Sequence, residues 1–433
     1  MTAPWWLEDA PPDEAAAPLT RDDDADVAIV GGGYCGLWTA LALRERAPDL
    51  RVVLVEAERC GHGPSGRNGG FLHGYWSMLG WLRRVLGDNR ALELARAGDG
   101  ILPAVRALDE DVWLREGGML EVATTARHER VLANAVAAAQ ALGVPEEAVA
   151  LTAEEVAARC DSPRLRSGVF FRECATVQPA RLARALRRKT RAAGVDLHEH
   201  TPATRVRPGV VETPNGTIRA GEVVLATNSA LARWRPTARR LAEFRSYVVL
   251  TEPAPDLIEE LGWTGGEAIA DGRMFLHYFR TTNDGRVLMG SAGGTRRHAE
   301  RGLRLLLPSL ADAPITHHWG GPIDVSADRL PIVGSRGRIH YAAGFTGNGV
   351  GPTWLAAQSL ASLVLRADDE WSQLPLVGRR IRPLPPLKNL GGRLVSSAVI
   401  RVEEAEEEGR RPSPLARLGA ALPRLTGSRL GLR

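Results

Sequence analysis

The sequence predicts an α/β fold: a Rossmann-type dinucleotide-binding domain joined to a second, α+β domain built on a largely antiparallel β-sheet. Three observations predict it. Residues 26–56 read as strand, glycine turn, helix and strand, with Gly31, Gly33 and Gly36 in the turn and Glu56 ending the second strand. Residues 244–252, 274–281 and 286–291 read as strands, the last two joined by Asn283-Asp284-Gly285, a hairpin signal. Segments of these two characters alternate, so each domain is expected to be discontinuous. Residues 22–104, 175–240 and 325–409 are assigned to the first domain, 105–174 and 241–324 to the second, and 1–21 and 410–433 to flexible tails.

The elements follow in order. Apolar residues 26–30 form a short strand, 37–47 a helix stopped by Pro48, and 51–56 the second strand. Residues 79–108 have helical character. Residues 112–125 have strand character interrupted by Gly117-Gly118, and 127–142 and 153–159 are helical again. Pro179 opens an amphipathic helix to Ala193, a favoured place for proline. Short strands are expected at 196–200, 209–213, 222–226 and 338–343. Helices are expected at 353–366 and 391–408.

Composition removes several functions. The 433 residues suffice for about two or three domains. The sequence pI is 9.1, but the charge is segregated. Residues 1–26 carry eight acids and one arginine, and residues 409–433 carry six arginines and no acid. A basic tail explains much of the pI, so no nucleic-acid partner is expected. Only Lys189 and Lys388 are lysines among 55 basic residues, and no Gly-Lys-Ser/Thr phosphate loop exists. Cys35, Cys60, Cys160 and Cys174 are dispersed, without metal-ligand spacing, which predicts a reduced chain with no metal. With neither a signal peptide nor an apolar run of bilayer length, a cytoplasmic protein is expected.

In the glycine turn, Gly31 permits the bend, Gly33 lets backbone approach a pyrophosphate, and Gly36 lets helix and strand pack. The helix N-terminus at Tyr34 and Cys35 points N–H groups at phosphate. Glu56 is placed to accept from the ribose hydroxyls of an adenosine, and its charge disfavours a 2′-phosphate. The histidine pair His317-His318 reads as structural, since no carboxylate or cysteine spacing beside it supports a metal site. Cys35 reads as packing, and a covalent flavin link through Cys60 or His62 is the lesser reading.

Further strings carry a family resemblance. They are Gly63-Pro-Ser-Gly-Arg-Asn-Gly-Gly70, Val223-Val-Leu-Ala-Thr-Asn228, Trp319-Gly-Gly-Pro-Ile-Asp324, Asp328-Arg-Leu-Pro-Ile-Val-Gly334 and Gly344-Phe-Thr-Gly-Asn-Gly-Val350. With the fingerprint and Glu56, the chain from 26 to about 365 resembles the FAD-dependent amine and D-amino-acid oxidoreductase (DAO) family, and most of all its γ-glutamylputrescine oxidase-like branch. The resemblance implies FAD as cofactor. Ser65, Arg67, Asn68, Gly69 and Gly70 would meet the pyrophosphate and isoalloxazine. Gly344, Thr346, Gly347, Asn348, Gly349 and Val350 would form the far wall, ahead of a helix start that favours negative charge on the reduced ring. Ala203 would meet the adenine through its backbone, and Asn228 would stand at a nucleotide-contacting turn.

The implied activity is oxidation of an amine C–N bond to an imine by hydride transfer to flavin N5, with reoxidation by oxygen or another acceptor. Candidates for the substrate side are His73, Tyr278, Arg280 and Asn348, with Tyr278 and Arg280 sharing one face of a strand. Three cations that family members use fall on residues without charge here. The lysine that grips a substrate carboxylate falls on Gly351, the oxygen-activating lysine near Leu288, and the arginine that holds an α-carboxylate near Ile323. These departures favour an amine, an N-alkyl amine or a γ-glutamyl polyamine as substrate. A D-amino-acid or N-methylamino-acid oxidoreductase using Arg280 is the second reading, a non-catalytic flavin-binding protein the third, and an NAD-dependent dehydrogenase a poor fourth.

Overall fold

The computed structural model describes residues 4–381, 383–385 and 388–425. One sheet runs in the order Ile332–Arg336, Ile339–Ala343, Gly216–Leu225, Asp23–Val30, Val52–Val55, Asp196–His198. Along this path all neighbours are parallel except the first pair, with Val27 registered between Val52 and Glu222, and Val210–Thr213 and Arg205–Arg207 branch antiparallel from Gly216–Leu225. The strands Asp23–Val30 and Val52–Val55 are apolar runs buried on both faces at their C-terminal ends, as covered parallel sheets require. The helices Tyr34–Arg46 and Pro352–Leu365 pack together against this sheet. Parallel pairing brings the ends Val30, Val55, Leu225 and Ala343 to one edge. Gly31, Glu56, Ala226–Asn228 and Gly344 therefore leave the sheet side by side, where open α/β sheets bind ligands.

The second sheet has the order Ile315–Ser326, Leu241–Thr251, Val287–Ala292, His277–Thr281, Ala268–Asp271, Met119–Val122, Gly168–Phe171, Val149–Leu151. It is antiparallel throughout, save that Ala268–Asp271 runs parallel to Met119–Val122. One face packs Leu120, Ile269, Phe279 and Trp263 beneath the amphipathic helix Arg296–Leu306. The other face looks toward the first sheet. The helical stretch at 79–108 is three helices, Leu79–Leu86, Asp88–Gly98 and Ile101–Arg106, because Gly87 adopts φ 81° and ends the first.

The ends of the chain differ from expectation. Residues 4–20 are not a flexible tail. Trp5 and Trp6 open a short helix, Trp5–Asp9, and Trp6 is fully buried. Its carbonyl accepts from Gln178 Nε2 at 2.8 Å, and Glu199 accepts from the Ala16 N–H at 2.6 Å. The acids of this segment pair with arginines of the helix Pro179–Ala192: Asp9 with Arg181, and Asp13 with Arg184 and Arg187. Charges assigned from sequence to a flexible tail are counterions of a helix far along the chain.

At the other end, the helix Lys388–Glu407, assigned from sequence to the dinucleotide domain, packs on the strand Leu241–Thr251 of the second sheet. Its acids hold second-sheet cations: Glu407 pairs with the buried Arg273, Glu404 with Arg301 at 3.1 Å, and Glu406 with Arg127 at 3.3 Å. Residues Pro414–Leu425 of the expected tail form a further helix against it. The remainder of that tail, 426–433, lies outside the described residues, as do residues 1–3.

Candidate active site

The fingerprint helix starts directly from the sheet edge. A Cβ at Gly36 would stand 1.9 Å from the Gly31 carbonyl oxygen, so only glycine allows the helix this close to the strand. Glu56 Oε2 accepts the Gly32 N–H at 2.7 Å and Oε1 accepts the Glu58 N–H at 3.0 Å, which fixes the carboxylate beside the turn. Thr201 N–H binds the Glu56 carbonyl at 2.8 Å, which brings the 201–204 segment with Ala203 alongside. Asn228 follows the neighbouring strand at φ 47°.

The second glycine loop is joined to this turn by Ser65, whose Oγ accepts the Tyr34 N–H at 2.9 Å. Tyr34 itself is buried, its hydroxyl donating to the Pro179 carbonyl. Cys35 is also buried, its thiol pushed up to about 12 by loss of water, so it packs and does not react. Burial likewise pushes the Cys60 thiol up. Two indoles pin the loop from below: Trp6 Nε1 donates to the Asn68 carbonyl at 2.9 Å, and Trp319 Nε1 to the Arg67 carbonyl at 2.7 Å. Within the loop, Asn68 Oδ1 accepts the Gly70 N–H at 2.8 Å.

The 344–350 loop is held by Asp324, whose carboxylate accepts the Gly344 N–H at 2.5 Å while its carbonyl accepts the Thr346 N–H. Burial raises the Asp324 carboxyl to about 6. Thr346 is kept at φ 55°, a region L-residues avoid, and the surrounding contacts sustain that strain.

A cavity of about 700 Å³ lies between the two sheets. Arg67, Asn68, Gly69, Thr346, Gly347, Asn348 and Val350 line it, and so do His73 and Tyr278. Gly31, Gly33, Gly36, Glu56, Ser65, Gly70, Ala203, Asn228, Gly344 and Gly349 do not. Gly31, Gly33, Glu56, Asn228 and Gly344 belong to the strand-edge turns, Gly36 to the helix that follows, and Ser65 and Gly70 to the second glycine loop. Asn348 Nδ2 reaches the Gly74 carbonyl at 3.4 Å, and its Oδ1 is buried without a protein partner. Tyr278 shares a hydrogen bond of 2.9 Å with Ser246 and stands edge-on to Phe71 at 5.5 Å.

His73 is half-buried and stays neutral: desolvation pulls it down to about 4. Its Nδ1 lies 3.2 Å from the Gly74 carbonyl, which can only accept, so Nε2 carries the free lone pair. Glu173 stands behind it, accepting the Gly74 N–H at 3.1 Å. Burial raises the Glu173 carboxyl to about 8, with Asp99 and Glu147 adding to the rise and the Gly74 N–H opposing it. Ligand atoms of His73, Glu173 and Cys174 lie within 4.8 Å of one another. Burial holds the Cys174 thiol far up and protonated, a poor metal donor.

Arg280 departs from expectation. It is fully buried and does not line the cavity. Nη1 donates to the carbonyls of Val177 at 2.6 Å and Gly70 at 3.3 Å, and Nε to that of Thr281. It buttresses the turn after Asn68 from behind the cavity lining, with Nη2 buried and without a hydrogen-bond partner. Sequence reasoning missed Ser246, Glu121, Glu173 and the pinning role of Trp6. Alternation along 119–122 was the one signal that could have placed Glu121 with Met119 on the cavity face.

A parallel sheet with a glycine fingerprint, a ribose-facing acid, two further backbone loops and a cavity between sheets defines a flavin-dependent oxidoreductase. The residues fit FAD. Glu56 is fixed beside the glycine turn from which the helix Tyr34–Arg46 starts, and Asn348, which lines the cavity, has a buried Oδ1 without a protein partner. The family model for FAD dependent oxidoreductases (DAO) matches residues 26–363, and the chain belongs to that family.

Among curated relatives, a "Probable oxidoreductase OrdL" of Rhizobium meliloti (strain 1021) is 32% identical over 365 residues, covering 80% of this chain and 84% of that one. The "Gamma-glutamylputrescine oxidoreductase" of Escherichia coli (strain K12) is 29% identical over 373 residues, covering 81% and 86%. The glycine oxidase of Geobacillus kaustophilus superposes with a TM-score of 0.68 at 23% identity, over 83% of this chain and 100% of that one. The protein is an FAD-dependent oxidoreductase. Among the described residues, no helix is long and apolar enough to cross a membrane.

Proposed function

We propose that the substrate is an amine without an α-carboxylate, such as an N-alkyl amine or a γ-glutamyl-polyamine-like compound, and that its C–N bond is oxidised to the imine. The observation that carries this reading is the close packing at Gly351. A Cβ there would lie 2.3 Å from the His73 carbonyl oxygen, so no lysine fits where family members place one for a carboxylate. Ile323 lines the cavity at the second such place, and Leu288, at the position of the oxygen-activating lysine, is buried among Trp6 and Trp319. Arg280, the remaining candidate, does not line the cavity. The similarity to a γ-glutamylputrescine oxidoreductase supports the same direction.

Bound FAD supplies the two-electron acceptor. Arg67 to Gly70 and Gly344 to Val350 would hold its isoalloxazine end, and Gly31 to Gly36, Glu56, Ala203 and Asn228 its adenosine end. The chain's own residues orient the amine and manage its proton. Tyr278, fixed by Ser246, and Phe71 form an apolar wall that excludes water. His73 Nε2 accepts a hydrogen bond from the neutral amine, and Glu173, whose carboxyl lies within 4.8 Å of the His73 ring nitrogen, is the base that relays the ammonium proton. We propose the domain division on the same footing, supported by sheet membership, with the helix Lys388–Glu407 moved to the substrate side.

Purified protein is expected to show the two visible bands of oxidised flavin. Anaerobic mixing with primary and N-alkyl amines is expected to bleach them, and D-amino acids are not. Bleaching by D-amino acids alone sinks the amine reading. The pH profile supplies a second test. A Glu173 carboxyl at about 8 is protonated below that pH and ionised above it. The bleaching rate at low amine concentration is therefore expected to rise with pH through an inflection near 8, and Glu173→Gln to remove that limb. Linkage has the opposite sign. A carboxyl raised on folding stabilises while protonated, so thermal stability is expected to fall as pH rises toward 8, less so in the variant. An unchanged bleaching profile in Glu173→Gln excludes the relay.

A further inference from the structure

Arg280 is a buried positive charge whose partners in the protein are all neutral. Nη1 and Nε donate to the carbonyls of Val177, Gly70 and Thr281, and the guanidinium lies over the Trp6 ring at 5.6 Å. Nη2 is buried without a hydrogen-bond partner. The other charge that acts on it is a second cation, Arg115, whose Nη1 donates to Thr281 Oγ1 at 3.0 Å. Burial first, and then Arg115, lower the guanidinium from its ordinary value, yet an arginine stays charged at neutral pH. Among the described residues no carboxylate pairs with Arg280. Carbonyl dipoles and an indole offset part of the cost of burying this charge, and negative charge on a bound ligand offsets more of it.

Position says which ligand charge. The second glycine loop has two ends. Ser65 accepts the Tyr34 N–H at the start of the fingerprint helix, which is the pyrophosphate end. Gly69 reaches the cavity, where a Cβ would stand 2.7 Å from the Tyr278 ring. Arg280 shares a strand face with Tyr278 and meets the loop at the next residue. Gly70 has φ 75°, and a Cβ there would stand 2.5 Å from Arg280 Nη1. The guanidinium therefore sits behind the cavity end of the loop, the end that would hold the isoalloxazine. Solvent screens a buried charge weakly, so its field reaches through the turn. An amine that gives up a hydride becomes an iminium cation, and the ring, richer by two electrons and one proton, gains one negative charge. The pyrophosphate charge, by contrast, is the same in both redox states.

We propose that Arg280 is a positioning residue for charge on the flavin: acting through the Gly69-Gly70 turn, it favours the reduced, anionic ring over the oxidised, neutral one and so raises the reduction potential of bound FAD. The assignment goes beyond the substrate reading and holds whichever amine reacts.

The test is an anaerobic redox titration of flavin-loaded wild type, Arg280→Met and Arg280→Lys against reference dyes, with no amine present. Arg280→Met keeps most of the stem and removes the charge. It is expected to lower the ratio of reduced to oxidised FAD affinity at least tenfold, which for a two-electron couple is a potential lower by about 30 mV or more. Arg280→Lys restores the charge without the planar fork and is expected to recover most of the loss. Equilibrium dialysis of each apoprotein against oxidised FAD reads the structural part separately. A guanidinium that only holds the loop, or acts on the pyrophosphate, changes the affinity for both redox forms alike. Weaker FAD binding by Arg280→Met at an unchanged potential therefore overturns the assignment, as does a fall in Arg280→Lys as large as that in Arg280→Met. Should Arg280→Met not fold, Arg280→Gln, which keeps a donor for the carbonyls, is read by the same criterion.

Discussion

Trp6→Ala is expected to destabilise the protein by about 3–5 kcal/mol, the range for truncating a buried aromatic, and to release FAD. The indole is fully buried and meets Trp319 edge-on at 6.3 Å. Its N–H also holds the Asn68 carbonyl, so the substitution opens a cavity directly beneath the second glycine loop. The two losses separate experimentally. Chemical denaturation of the apoprotein reads the packing term, and flavin retained after gel filtration reads the loop. Trp6→Phe keeps most of the volume and loses the donor. It is expected to fall between the two in stability and to resemble Trp6→Ala in flavin retention. A Trp6→Ala protein of wild-type stability and full flavin content would show that the segment 4–20 merely rests on the surface.

Gly36→Ala is expected to weaken FAD binding by at least about 100-fold, roughly 2.8 kcal/mol. The added methyl would sit 1.9 Å from the Gly31 oxygen and 3.1 Å from its carbonyl carbon, both backbone atoms that cannot swing aside. The helix must retreat from the strand, taking with it the N–H groups that face the phosphates. Equilibrium dialysis of the apoprotein against FAD measures the effect. Tight binding by a folded Gly36→Ala protein would mean that this turn does not carry the pyrophosphate.

Much of the first sheet was legible because its signals are local. The glycine spacing, the apolar strands and Glu56 lie within one βαβ unit, and each constrains its neighbours. The hairpin after Thr281 was equally plain, with Gly285 at φ 79° in its turn. What could not be read depends on partners far away in sequence. The acids near Trp6 looked like part of a flexible tail because Arg181, Arg184 and Arg187 lie beyond any local window. Alternation rightly put Tyr278 and Arg280 on one face, but it does not say where along the strand the cavity ends. The Val177 and Gly70 carbonyls claim Arg280, and nothing near residue 280 announces them. The Trp319–Asp324 string was recognisable as a motif, yet its physical work, an indole under one loop and a carboxylate capping another, exists only once the strand Ile315–Ser326 lies between them.

The packing of residues 5–20 also bears on how the chain reaches its native state. Gln178 grips Trp6 across 172 residues, and His317 reaches Glu8 across 309. Two adjacent tryptophans are thus made well before their partners and have no resting place until those partners exist. In the interval they are an adhesive patch, and the neighbouring Glu8, Asp9, Asp13 and Glu14 act as gatekeepers that keep it hydrated and self-repelling. The same carboxylates later dock on the arginine helix, so one set of charges first delays association and then directs it. Neutralising them would be felt in the yield of soluble protein before it was felt in the finished fold.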